Sequence, residues 1–471
     1  MARARLAAVN RAPLLAGLAL AVAFAIGIAA DVYRIPVQVS DSREIIEAMA
    51  KAPSAAAAFV AALRTSDTML RPTRQFQTKV LLDAADGLGG AYHVMFRGYH
   101  AVTAALLILV FAWRVGARRW VDVAALAFGL SVLVGMHTFS GMVREAYPVN
   151  HFLLVALLAL GMGTLAQGRP GWLADAGALL LFGVAAMTLE SGLLLAVIAG
   201  AGYAAGWRGI SRRGLAAIAL AAAGYLTLRY GFLQMHSATL GSRQTGFGAA
   251  MLSVAEQEAR FGDQPLPLYV YTVLMSAISV LLSQPSHGQW TVAAAMGRGA
   301  FAPVFLIEMA TSLTTTALIV WYGFGRGTDG RPRWREPLPF VFLALLVSNS
   351  VISFSYAKNE IVSVAGVFYA LLAATAMRTF LDRPWQASPR TVGVAAVVTL
   401  VCCGWAVRDV GLHSKMQRSA FEARNEWATV LTPGDTGLSP VAARLGEDAL
   451  GRRVLRLSRT WRRWMPWWDA E

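Results

Sequence analysis

The sequence predicts an all-α polytopic membrane protein with about 11–13 transmembrane helices and a large extracytoplasmic first loop. Two features carry that prediction. Of 471 residues, 56% are hydrophobic and only 15% are charged, where a soluble domain carries roughly 25% charged residues. Apolar runs also recur along the chain at about the ~20 residues needed to cross a ~30 Å hydrocarbon core. Lipid offers backbone groups no hydrogen bonds, so each run must satisfy its own as a helix. Continuous Leu- and Ala-rich runs exclude the alternating pattern of an outer-membrane barrel.

The first element follows Arg3, Arg5 and Arg11 and covers residues 12–30. Ile28 is bulky where a signal-peptide cleavage site wants a small residue, so the run reads as an uncleaved first span with a cytoplasmic N-terminus. Residues 31–90 are polar and form the outer loop, because long loops translocate largely regardless of charge. Further spans are expected at 92–113, 120–136, 148–166, 172–187, 191–206 and 214–232. The turns holding Arg114, Arg118 and Arg119, then Arg169, then Arg208, Arg212 and Arg213 are placed inside by their charge. The turn 137–147 and the tight turn at Glu190 then lie outside.

A second outer loop covers 233–266, and apolar runs follow at 267–283 and 301–323. The basic loop 326–335 belongs inside. Parity therefore requires that one element between 267 and 323 does not cross, with 267–299 the candidate. Spans at 338–356, 361–377 and 391–407 complete a transmembrane domain of residues 1–407. Lys358 and the tail 408–471 fall outside. In the tail, Leu450, Val454, Leu457, Trp461 and Trp464 share one helical face, and Arg452, Arg453, Arg456, Arg459 and Arg463 occupy the rest. That pattern reads as a basic amphipathic helix on anionic lipid, with packing on a partner domain as the alternative. Trp467 and Trp468 follow it.

The formal net charge of +15 sits mostly in short loops, where it sets topology rather than forming a nucleic-acid patch. Cys402 and Cys403 are adjacent in an apolar segment and make neither a disulfide framework nor a metal-ligand spacing. The informative residues are ionisable groups near bilayer depth, which cost a few kcal/mol and call for a reason. Asp31, Asp41, Arg71, His93, His100, His137, Arg144, Glu145, Glu190, Arg229, Lys358 and Glu360 all map to the outward aspect. Carboxylates suit proton abstraction from an acceptor hydroxyl. Arg and Lys suit a phosphate leaving group. Together they fit transfer of a group from an anionic lipid-linked donor. A transporter needs similar charges but usually shows repeated halves, and here a 60-residue first loop faces short later ones.

The stretch LRPTRQFQTKVLLDAADGLGGAYHVMFRGYHAVTAALL, from Leu70, resembles the arginine-proline, tyrosine-histidine and histidine pattern of protein O-mannosyltransferase-like enzymes. These are GT-C glycosyltransferases, and the likeness is to their transmembrane mannosyltransferase branch with tetratricopeptide tails. Asp41-Ser42 stands where that branch carries paired acids after the first span. His137 through Glu145 resembles its second outer turn, Thr188-Leu189-Glu190 its lysine-glutamate step, and GYLTLRY at 224–230 its tyrosine-to-arginine span. Lys358, eight residues before Gly366, takes the place of a late arginine. Ser42, Leu189 and Lys358 depart from the family pattern, and no tetratricopeptide repeats follow. The resemblance covers roughly residues 12–380. It implies a GT-C-like fold and inverting transfer of a sugar from a polyprenyl- or dolichyl-phosphate donor to a glycan, lipid or protein acceptor on the outer face. It also implies Asp41 as base, Arg229 and Lys358 as phosphate contacts, and Arg71, His93, His137, Glu145 and Glu190 around the sugar and acceptor. Divalent-metal dependence stays open. The expected setting is a bacterial inner membrane, with the N-terminus cytoplasmic.

Each of these residues has a second reading. Asp41 with Glu44 forms a D-x-x-E capping box opening a helix at 42–51, a role compatible with catalysis. Asp31 ends the first span at the interface. Arg71 before Pro72 also suits a turn. His93 and His100 share a helix face and suit polar contacts between helices better than metal ligation. Glu145 and Glu190 suit pairing with Arg144 or Arg229, and Lys358 suits snorkelling. At the level of function, a transporter or lipid-linked-sugar flippase and a non-catalytic GT-C scaffold remain as alternatives.

Overall fold

A computed structural model describes residues 11–37, 43–65, 70–87, 91–144, 147–233, 266–283, 303–327, 330–354, 359–386 and 388–431, with residues 259, 297 and 299. Among them the regular structure is helical, apart from one isolated bridge between Arg326 and Pro332. The first helix, α1, is Ala12–Arg34. Three short helices follow: α2 (Arg43–Lys51), α3 (Ala55–Thr65) and α4 (Pro72–Ala84). Next come α5 (Tyr92–Val115), α6 (Trp120–Gly135), α7 (His137–Arg144), α8 (His151–Gln167), α9 (Trp172–Ala186), α10 (Leu194–Ala204) and α11 (Arg212–Leu226). The chain continues through α12 (Leu266–Leu281), α13 (Pro303–Phe324), α14 (Pro337–Ile352), α15 (Ser363–Leu381) and α16 (Pro389–Leu431).

Among the described residues, five segments are long and apolar enough to cross a bilayer: Ala12–Arg34, Tyr92–Val115, Arg212–Phe232, Asn359–Leu381 and Thr391–Phe421. A sixth is added if α6 and α7, bent by 60° at Met136, count as one. Other apolar helices, among them α8, α9, α10 and α14, are shorter at 10–17 residues. An all-helical bundle of this kind is compatible with a polytopic membrane protein.

Burial identifies the axis. The Asn359–Leu381 segment is 89% buried, against 17% for Arg212–Phe232 and 11% for Thr391–Phe421. Around α15 pack α6, α8, α13 and α14. Gly129 brings α6 onto α15, since a Cβ there would overlap Ala374; small residues let helix backbones approach in this way in membranes. The peripheral helices turn Leu14, Leu15 and Leu18, then Leu220 and Phe232, then Val392, Leu400 and Val410 outward. So large an apolar exterior suits lipid, where water would drive association.

Ion pairs define the two ends. At one, Asp122 at the start of α6 accepts from the Arg118 and Arg119 amides and pairs with Arg378 of α15 at 3.1 Å. Arg119 reaches Asp382 at 2.7 Å, and Asp175 of α9 accepts from Ser211 before α11. Arg169, Arg208 and the 330–335 turn belong to this arginine-rich end, with Trp334 packed on Gly323 and Phe324. The opposite end carries the α7 helix, the start of α15 and the layer α2–α4.

The start of the 267–283 run packs at that opposite end. Tyr269 of α12 packs edge-on against Phe354, and Ser276 bonds Ser353 at 2.8 Å, both just past the end of α14. At the far end of α12 the Ser283 carbonyl accepts from Arg408, which also donates to Gly135 at the end of α6. Thr316 of α13 donates to the Leu281 carbonyl and meets Tyr369 of α15, so this end of α12 lies among the middle turns of α13 and α15. The helix that carries the 391–407 run, α16, continues into the tail to Leu431, and its His413 bonds Asp31 while Ser419 accepts from Arg144.

Candidate functional site

Three local features place three charged side chains together. Pro72 starts α4, where its fixed φ suits the first helical position and its missing N–H costs nothing. The next amide, Thr73, donates to the Met187 carbonyl at 3.0 Å, pinning α4 to the end of α9. Arg71 at the N-cap is thereby held beside the turn that follows α9. In that turn Leu189 is extended and Glu190–Leu193 forms a 3-10 helix. Gly192 is needed for its tightness, since a Cβ would overlap the Ala185 carbonyl. The third feature is a π-helical turn, Thr227–Phe232, continuing α11. Such turns rotate side chains out of the α-helical register and recur at functional sites. Arg229 lies on it, bonded to the Tyr225 hydroxyl at 3.1 Å.

The result is one carboxylate between two guanidiniums. Arg71 Nη2 lies 2.8 Å from Glu190 Oε2, and Arg229 Nη1 lies 3.0 Å from Glu190 Oε1. Burial alone would push the Glu190 carboxyl up. Arg71 and Arg229 outweigh burial and hold it at about 2. One turn along α4 sits Arg74, lowered to about 10 by burial and by Arg71, and drawn the other way by Tyr147 and Glu190. Glu190 is therefore an anion and Arg74 a cation near neutrality, and three guanidiniums stand around one carboxylate. Sequence reasoning passed over Arg74, although its i+3 spacing from Arg71 on a Pro-started helix puts both on one face.

A second polar station lies on α5. Fully buried Arg97 donates to the Pro36 carbonyl at 2.8 Å and contacts His100 Nδ1 at 2.7 Å. His100 Nε2 meets the Asn150 amide at 2.9 Å, and the Asn150 side chain caps α8 through Leu153. His93 packs edge-on against Tyr33 at 4.9 Å. Both histidines thus serve contacts between elements, and neither sits beside Glu190 in any contact of the described residues. His137 is buried at the head of α7. That helix packs on the 3-10 turn Asn359–Val362, and Gly141 and Gly366 allow the fit, since a Cβ at either would press on Glu360 or Thr138. Asp41, Glu145 and Lys358 lie outside the described residues. Among the described residues no group of three or more His, Cys, Asp or Glu is placed to hold a metal.

Beside the charged cluster runs an open apolar groove of about 520 Å³. Phe59 of α3 and Thr73 of α4 form one side; Ala176, Leu179, Leu180, Gly183, Val184 and Met187 of α9 form the other. Thr73 stands between Arg71 and Arg74, and Met187 stands three residues before Glu190. The groove therefore reaches the start of α4, which carries Arg71 and Arg74, and the end of α9, which precedes Glu190. No protein-family model, curated protein or solved structure matches the chain.

Proposed function

We propose that the protein is a GT-C-type membrane glycosyltransferase with about 11–13 spans, moving a sugar from a polyprenyl-phosphate donor to an acceptor. The carrying observation is a charge cluster on the same elements, α4 and the end of α9, that line the groove. Arg71, Arg74 and Arg229 surround Glu190, where a hydrophobic channel along α9 meets the helical layer of the first loop. An anionic headgroup needs the cations, and a polyprenyl chain needs an apolar surface open to lipid. Their junction suits a molecule with both parts. The arginine-rich end faces the cytoplasm by the positive-inside rule, so the cluster faces outward and the N-terminus inward, as in a bacterial inner membrane.

In this reading the acceptor hydroxyl attacks the anomeric carbon while Asp41 takes its proton. The bond from that carbon to the phosphate oxygen breaks, and its electron pair leaves on the lipid phosphate. One displacement inverts the anomeric centre. Lys358 adds a further cation to the phosphate, and His93, His137 and Glu145 shape the acceptor side. The test is sugar transfer and donor binding by the purified full-length chain. General-base assistance is typically worth ~10²–10⁴ in rate, so Asp41→Asn should lose about that much turnover and keep its donor affinity. Lys358→Ala should weaken donor binding as well. Wild-type turnover in Asp41→Asn refutes the base and leaves Asp41 a helix cap. Movement of the lipid-linked sugar across the bilayer without transfer points instead to a flippase.

A further inference from the structure

We propose that Arg74, rather than Arg71 or Arg229, is the side chain that grips the donor's phosphate, an assignment that rests on the lipid-phosphate reading above. The two oxygens of Glu190 are already taken, Oε2 by Arg71 and Oε1 by Arg229. Those guanidiniums hold α4, the turn after α9 and the π turn of α11 together. Arg74 makes no ion pair and no side-chain hydrogen bond among the described residues, which sets it apart from Arg71 and Arg229; its Nε, like that of Arg71, is buried without a hydrogen-bond partner. One turn further along the same face, Gln77 buries its Oε1 in the same condition. Among the described residues no ion pair or hydrogen bond of the fold occupies this guanidinium. Thr73, its neighbour, forms part of the groove, so a phosphate at Arg74 lets the polyprenyl chain run down α9.

The charge count fits one particular partner. Three arginines less one glutamate leave a surplus of two positive charges. A sugar-phosphate-lipid is a diester with a single negative charge. The lipid monophosphate that departs carries about −1.5 to −2 near neutral pH, as phosphomonoesters do. The surplus is matched to the leaving group, so its stabilisation grows as the carbon–oxygen bond breaks, which is the condition for lowering a barrier.

The experiment compares undecaprenyl monophosphate with undecaprenol as probes, binding to the full-length protein in nanodiscs, for wild type, Arg74→Gln and Arg74→Lys. Wild type should prefer the monophosphate. Arg74→Gln should lose roughly ten- to a hundredfold in monophosphate affinity, the weight of a charge-assisted hydrogen bond. Undecaprenol binding and melting temperature should hold, and Arg74→Lys should recover part of the loss. An Arg74→Gln protein that keeps the wild-type preference overturns the Arg74 assignment and leaves the lipid-phosphate reading standing. Unfolding of Arg74→Gln also overturns it, because the assignment requires that the fold not depend on this side chain. A wild type that binds both probes equally overturns the lipid-phosphate reading itself.

Discussion

Glu190 holds two cations that would otherwise repel each other in a partly buried site, with side-chain exposures of 23%, 14% and 7% for Glu190, Arg71 and Arg229. Removing the carboxylate leaves both guanidiniums without their counter-charge. Glu190→Gln should therefore destabilise the protein by about 1–3 kcal/mol, below the cost of a fully buried pair because water reaches part of the site. A double-mutant cycle of Arg71→Gln with Glu190→Gln should show coupling, since the two side chains touch. The pH dependence has a definite sign. Glu190 is depressed from its ordinary value of 4.5 to about 2, so its stabilisation is fully present above the ordinary value and is lost as pH falls toward about 2. Melting temperature measured across that window should fall more steeply for wild type than for Glu190→Gln. Parallel curves would mean that the pair contributes nothing.

Two irregular turns decide where those side chains point. The 3-10 turn at Glu190–Leu193 and the π turn at Thr227–Phe232 each depart from α-helical periodicity. An unbroken α11 would carry Arg229 to a different angle about its axis. Gly192 tests the first turn. An added methyl collides with the Ala185 carbonyl, and backbone does not yield as a flexible side chain would. Gly192→Ala should lower stability by about 1–3 kcal/mol, in the range of an overpacked site, and should weaken lipid-phosphate binding by displacing Glu190. A variant with unchanged melting temperature and binding would show that the turn is not constrained as described. Arg408 plays a comparable part for α6 and α12. It donates to the carbonyls of Gly135 and Ser283 at the ends of both helices, where backbone acceptors lack intrahelical partners.

For the molecule as a whole, the expected outcome is a bundle with two chemically distinct ends on opposite sides of the membrane. Single cysteines in a background lacking Cys402 and Cys403 report the sides directly. Ser66→Cys and Ser439→Cys should react with an impermeant thiol reagent in intact cells, and Gly330→Cys only after lysis. Labelling of Gly330→Cys in intact cells would reverse the orientation, or require that both 267–283 and 301–323 cross.

Composition and run length, read from the sequence alone, determine the helical membrane-type fold, because lipid leaves the backbone no other way to satisfy its hydrogen bonds. Arginine position determined the grouping of the loops, and parity then asks for a non-crossing element between 267 and 323. Charge and spacing also picked out Arg71, Glu190 and Arg229 in advance. The tertiary structure alone decided that these three form one cluster, because α4, the turn after α9 and α11 are far apart in the chain. It alone showed that Glu190 is shared between two arginines, that His93 and His100 serve helix contacts, and that Arg74 is left over. Periodicity records which face a residue occupies on its own helix. Which faces meet depends on packing among all the helices at once, and on the two irregular turns that rotate Glu190 and Arg229 toward each other.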